Sequence, residues 1–196
     1  DAARAARQPA EQIRALYALA QLHTGVLSSL YFSELAEFYQ SQGQTEDALS
    51  SWKKARAADP QNGAAFLALE QAWRKRSNWT ELADLYRQEG ERHQGNSPSD
   101  ASLWLARAAR VYRTQLFQEQ PARACYQKAL QQGLSEASLC PLRHEYNVFL
   151  TESESWADLV QSLQVELSLE TTSRSFLHYR IGQIQEEKLK DYPAAI

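Results

Sequence analysis

The side chains able to do chemistry in this chain are few and scattered. Four histidines, His23, His93, His144 and His178, lie far apart in the sequence. None sits in HExxH, and neither a glycine-rich phosphate loop nor a nucleophile elbow is present. His144 follows Cys140 by four residues, a spacing that puts both on one side of a helix. A catalytic thiol also needs an orienting group and an oxyanion site, so the pair reads as a surface histidine near a half-buried cysteine. The cysteines, Cys125 and Cys140, lack the CxxC spacing of a zinc site and read as small buried residues. Glu152 and Glu154 precede a helix start, where acids suit the positive helix end and Ser155 can cap. The remaining feature is basic: Arg74, Lys75 and Arg76 run together, and Arg107, Arg110 and Arg113 recur at helical spacing. No catalytic residue, metal site or cofactor is expected, and the protein is not expected to be an enzyme.

These side chains need helices to carry them. Glycine and proline are scarce, at 7 and 6 of 196 residues, and strong helix formers dominate. Apolar residues keep helical spacing. The spacing predicts helices near 10–23, 29–42, 45–58, 63–76, 79–92, 101–116, 120–132, 138–151, 155–168 and 173–189, with another beginning at Tyr192. The stretch "GERHQGNSPSD", residues 90–100, reads as the longest loop. Short connections make neighbouring helices antiparallel.

A net charge of −3 argues against a nucleic-acid partner. No apolar run reaches the roughly 20 residues that span a bilayer. Free cysteines and the lack of a secretory signal favour a cytoplasmic location. The absence of methionine and the ending "DYPAAI" suggest a stretch of a longer protein.

One sentence recurs. In "FSELAEFYQSQGQTEDALSSWKKARAADP", Phe32, Leu35, Ala36 and Tyr39 precede Ala48, Trp52, Ala55 and Pro60, with Gly43 between. This resembles the tetratricopeptide repeat, a pattern of about 34 residues. Ala36 and Ala48 are small so that two helices approach closely. Trp52 and Tyr39 fill the gap to the next hairpin, and Pro60 stops the helix. The sentence returns with Leu105, Ala108, Ala109, Tyr112, Ala122, Tyr126 and Ala129, with one extra residue in the turn. It begins again with Ile181, Gly182 and Ala195. Looser units share Trp79–Leu82 and Trp156–Leu159, where Leu82 and Leu159 replace the small residue. Ala48 to Ala122 is 74 residues and Ala122 to Ala195 is 73, so hairpins come in pairs, one strict and one degenerate.

The resemblance implies an all-α, right-handed superhelical solenoid of antiparallel helix hairpins, part of a longer bacterial-type array. Residues 1–28 would form an N-terminal helix packing on the array. The repeats would be 29–62, 63–99, 100–135, 136–171 and a partial 172–196. Its first helices would line a concave groove, with Glu37, Gln40, Gln71, Arg74, Arg110 and Arg113 facing it. The arginines could hold carboxylates of a partner. The Lys and Asn that some members use to clamp chaperone tails are absent, since Ser33 and Glu37 stand there. The function implied is a non-catalytic scaffold or adaptor that binds a peptide or helical segment of another protein. The alternative is a regulatory repeat region of a larger enzyme or signalling protein. Self-association through array ends, exposing Ile181 and Ile184, is a further expectation.

Overall fold

The protein, analysed as a computed structural model, is described over residues 2–132, 136–169 and 174–191, with side chains described for all of these except 2–8 and 136–138. Among the described residues every regular element is a helix. They are α1 (Ala2–Leu22), α2 (Gly25–Ser41), α3 (Thr45–Ala58), α4 (Gly63–Lys75), α5 (Trp79–His93), α6 (Pro98–Thr114), α7 (Glu119–Leu130), α8 (Glu136–Glu152), α9 (Trp156–Leu169) and α10 (Arg174–Ile184). A single π turn, Gln185–Leu189, follows α10. The expected helix at Tyr192, and Ala195 in the third copy of the repeat, lie outside the described residues. By its internal contacts the chain forms two compact units, Asp1–Leu85 and Tyr86–Ile196, and the division falls inside α5.

In the first unit, α2 packs on α1 and on α3, and α3 on α4. The backbones of α2 and α3 approach along most of their length. They can do so because Ala36, Ala48 and Ala55 are all buried at the contact. Trp52 is buried as expected, while Tyr39 is only half-buried. Asn62 joins three elements. Its side-chain oxygen accepts from the Ala65 N–H at 2.9 Å and so caps α4. Its amide donates to the Ser29 and Ser33 hydroxyls of α2 at 2.7 and 3.0 Å. Ser29 passes the bond on to the Ala55 carbonyl of α3 at 2.8 Å.

In the second unit, α6 and α7 repeat the close pairing over Ala108, Ala109, Ala122 and Ala129, all with no exposed surface. The backbones of α8 and α9 meet over a shorter length, and there Leu159 is buried in place of an alanine. A polar link stiffens this looser pair. Ser162 donates to the Asn147 side-chain oxygen at 2.6 Å, and the Asn147 amide donates to Glu166 at 3.1 Å.

One turn geometry recurs after the helices. Gly43, Ser77, Phe117, Glu154 and Lys190 all adopt left-handed backbone, with φ of 74°, 56°, 53°, 52° and 55°. The next residue sends its N–H back to the ending helix: Gln44 to Tyr39, Asn78 to Trp73, Gln118 to Tyr112, Ser155 to Leu150 and Asp191 to Gln185, each at 2.9 Å. This closure satisfies carbonyls that a helix end leaves without donors. At Phe117 and Lys190 the ring reaches back six residues instead of five. The first of these is the extra turn residue anticipated from sequence. The second is absorbed by the π turn after α10. Gly43, Phe117 and Lys190 stand 74 and 73 residues apart, the same double period as the alanines.

Three expectations need correction. Residues 90–93 are helical, so the loop before α6 is only residues 94–97. Gly90 there is not a loop glycine. A Cβ on it would lie 2.6 Å from Leu105 Cγ and 3.1 Å from the Leu105 nitrogen, so α5 and α6 need its bare backbone to touch. Ile181 and Ile184 are buried, packed where α10 meets α9, and offer no end face. Of the cysteines, Cys125 is buried but Cys140 is exposed.

Ala122→Leu is expected to lower stability by about 1–3 kcal/mol through overpacking between α6 and α7, read as the midpoint of urea unfolding. Ala124→Leu, on the exposed side of α7, should leave the midpoint unchanged. Equal midpoints for both variants would remove the tight alanine contact as a source of stability.

Candidate functional site

The six groove candidates fall in both units. Glu37 and Gln40 are exposed on α2, and Gln71 and Arg74 on α4. Arg74 pairs with Glu70 one turn earlier at 3.1 Å. Arg110 and Arg113 lie on α6 in the second unit, and each holds a carboxylate of the same chain. Arg110 grips Glu145 of α8 with two nitrogens, Nε to Oε1 at 2.8 Å and Nη2 to Oε2 at 2.7 Å. Arg113 Nη2 meets Glu152 Oε2 at 2.6 Å. Such forked pairing is what a guanidinium does best.

The buried Tyr126 of α7 completes the network by donating its hydroxyl to Glu145 Oε1 at 2.8 Å. Burial would push the Glu145 carboxyl up. The hydrogen bonds from Arg110 and Tyr126, with the charges of Arg110 and Arg113, bring it below its ordinary value instead. Burial, then the bond to Glu145 and its charge, lift the Tyr126 hydroxyl far above its usual range. The hydrogen bond to Glu145 raises Arg110 as well, so the charges are fixed at neutral pH. Nearby, Arg123 of α7 reaches both Asp158 and the Ser155 hydroxyl at the start of α9. Ser155, expected as a cap, has its hydroxyl tied to α7.

Three cavities border these elements. One of about 360 Å³ in the first unit is lined by Gln40, Ala48, Trp52, Ala68, Ala72 and Lys75, among others. Of the six candidates, Gln40 is the one that lines it. One of about 150 Å³ in the second unit is lined by Arg113, Phe117, Glu119, Phe149, Glu152 and Ser153. A third, of about 320 Å³, lies among α7, α8 and α9 and is bordered by Gln127, Arg143, Tyr146, Asp158 and Gln161. As functional residues, sequence reasoning passed over Tyr126, Glu145 and Glu152 in the network, and Trp52 and Ala68 around the cavity of about 360 Å³. Glu145 and Glu152 lie 35 and 39 residues from their arginines, beyond any local pairing rule.

Cys140 and His144 are both exposed on α8, and among the described residues no three His, Cys, Asp or Glu side chains gather as metal ligands. Among the described residues, no helix is long and apolar enough to cross a membrane.

No family model and no curated protein matches the sequence. Among solved structures, BtubC (BKLC) from P. vanneervenii is similar over 98% of this chain and 84% of that one, with 15% sequence identity and a TM-score of 0.43.

The depressed Glu145 carboxyl has a definite sign. Its ionised form is favoured in the folded protein, so its contribution is present at neutral pH and lost as pH falls below about 4.3, the unfolded value. Between pH 6 and pH 3 the wild type should lose about 1 kcal/mol more stability than Glu145→Gln, measured by urea unfolding at each pH. Parallel losses would show that the Arg110 pair contributes nothing.

Proposed function

We propose that this chain is a non-catalytic protein–protein interaction scaffold built as a tetratricopeptide-like solenoid of antiparallel hairpins. It would bind a segment of a partner protein along the first helices of those hairpins. The observation that carries the reading is the hairpin turn repeated at Gly43, Ser77, Phe117, Glu154 and Lys190. A chain that reuses one hairpin, with small residues Ala48 and Ala122 at equivalent contacts, matches the logic of modular arrays. In such arrays each unit packs only on its neighbours, and extended faces remain for recognition.

The exposed apolar side chains fit the same reading. Leu30 of α2, Leu67 of α4, Leu103 of α6 and Val148 of α8 are all exposed on first helices. Leu30 and Leu103 hold equivalent positions, each two residues before the first-helix aromatic or leucine of its copy, Phe32 and Leu105. Apolar anchors spaced among polar neighbours are what a helix-in-groove or extended-segment partner requires. The exposed Lys75 at the end of α4 adds attraction for an acidic segment.

Peptides selected from a random displayed library against the whole chain should protect backbone amides of α2, α4, α6 and α8 from hydrogen exchange. Leu67→Asp and Leu103→Asp should each weaken the selected peptides by roughly tenfold, the usual loss for one exposed anchor, without moving the thermal midpoint. Protection confined to the second helices, or a selection that yields no binding peptide, would overturn the reading.

A further inference from the structure

The exposed apolar side chains are not spread evenly. Among the described residues, six of the fifteen large ones, Tyr17, Leu19, Leu22, Val26, Leu27 and Leu30, fall where α1 ends and α2 begins. All six belong to the first unit. Apolar surface gathered in one place marks a contact face, whereas single exposed side chains do not.

Helical geometry turns the α2 members into a stripe. Ser28, Ser29, Phe32, Leu35 and Ala36 form the buried side of α2. At about 3.6 residues per turn, the opposite side carries Leu27, Leu30, Glu34 and Glu37, and all four are exposed. The stripe is thus divided, with leucine in the first half of the helix and carboxylate in the second. Glu34 and Glu37 have no ion pair or hydrogen bond among the described residues, and α2 contains no lysine, arginine or histidine. Lys54 of α3 is held over the Tyr17 and Phe32 rings, 4.9 and 5.7 Å from their centroids, and Phe32 lies on the buried side of α2.

The repeat keeps the apolar position and changes the charge beside it. The carbonyls that close the turns, those of Tyr39, Tyr112 and Gln185, stand 73 residues apart. At that interval Leu30, Leu103 and Phe176 share one position, and all three are exposed. Glu34 and Glu37 then correspond to Arg107 and Arg110. Arg110 takes the Glu145 carboxylate of its own chain. The turns at Ser77 and Glu154 align the following helices, with Ala68 in the place of Glu145 and Lys75 in that of Glu152. Ala68 offers Glu37 no charge, and no cation among the described residues replaces it.

An occupant of this stripe must pack apolar side chains on Leu27 and Leu30 and bring positive charge to Glu34 and Glu37. An anionic lipid surface meets the first demand and is repelled by the carboxylates. A helix carrying both features meets both. We propose that the outer stripe of α2 docks a basic amphipathic helix of the partner protein, with aliphatic side chains on Leu27 and Leu30 and lysine or arginine at Glu34 and Glu37. The assignment rests on the scaffold reading and names the chemistry of the segment at one of its helices. The corresponding stripe of α6 bears arginines, so the same segment is rejected there.

The test titrates the isotope-labelled whole chain with an alanine-based helical peptide of about 18 residues, followed by heteronuclear NMR. Its leucines and lysines repeat the spacing of Leu27, Leu30, Glu34 and Glu37, and a counterpart has glutamate for each lysine. The lysine peptide should shift the α2 amide resonances saturably and leave those of α6 unmoved. The glutamate peptide should bind roughly tenfold more weakly. Glu34→Lys with Glu37→Lys, at exposed positions, should leave the thermal midpoint unmoved and invert the preference between the two peptides. Leu30→Ser should weaken both several-fold. Equal binding of the two peptides, no saturable shift, or a preference that survives the charge swap would overturn the assignment. So would binding to phosphatidylglycerol vesicles, or a dimer of the chain, that Leu30→Ser abolishes, since a lipid or a second copy would then own the stripe. Library peptides that bind the first helices regardless of the charge swap would sink this site and leave the scaffold standing. Lysine-peptide binding in a chain whose library peptides leave α4, α6 and α8 unprotected would do the reverse.

Discussion

The closest distance between two helices is set by the smallest side chains between them, and this chain uses that constraint twice in full. Where Ala36, Ala48 and Ala55 meet, and again at Ala108, Ala109, Ala122 and Ala129, no side chain holds the backbones apart. The bulk goes one turn along the same side of the second helix, as Trp52 and Tyr126, four residues after Ala48 and Ala122. Those aromatics then define what the next helix must accommodate. Where Leu159 replaces the alanine, α8 and α9 touch over a shorter length, and the Ser162–Asn147–Glu166 chain of hydrogen bonds supplies some of the lost order. Tight and loose pairing are thus consequences of one residue type at one position.

The turns follow from a second requirement. Each helix ends with carbonyls that need donors, and the N–H that closes the turn can reach them only if the residue before it turns left-handed. Glycine does this freely at position 43. Ser77, Phe117, Glu154 and Lys190 do it at a cost of about 1–2 kcal/mol each. The cost at Phe117 is accepted although the ring is 81% exposed and gains little burial in return. That a bulky side chain tolerates this backbone shows how strongly the neighbouring helices determine the turn, since α6 and α7 are already locked together by their alanines.

Legibility in the sequence tracks the range of the interaction. The alanines, the double period and the extra turn residue before Gln118 could all be read, because each is a local spacing rule. The start of α1 at Ala2 rather than near residue 10 could not, since "DAARAARQ" has helix propensity without an apolar pattern. Residues 90–93 misread as loop because glycine in polar company looks like punctuation, and only the approach to Leu105 explains Gly90. The candidate site was the least legible part. Arg110 and Arg113 were read as available cations because their partners lie a helix pair away. Placing the two copies side by side would have revealed Ala68 against Glu145, but not that Tyr126 and Arg110 converge there.

That substitution bears on how a repeated architecture comes to hold different chemistry at one position. In the second unit the carboxylate is covalently part of the chain. Its attraction for Arg110 and Tyr126 is fixed at folding and contributes to stability. In the first unit Ala68 stands at that position beside an unfilled volume, and the buried Trp52 indole N–H has no acceptor among the described residues. The surrounding charges have changed in step, with Lys75 where the second copy has Glu152 and Glu37 where it has Arg110. The cation has moved from the α6-equivalent helix to the α8-equivalent one. Polarity is thus reversed at both positions around the same alanine contact and a buried aromatic.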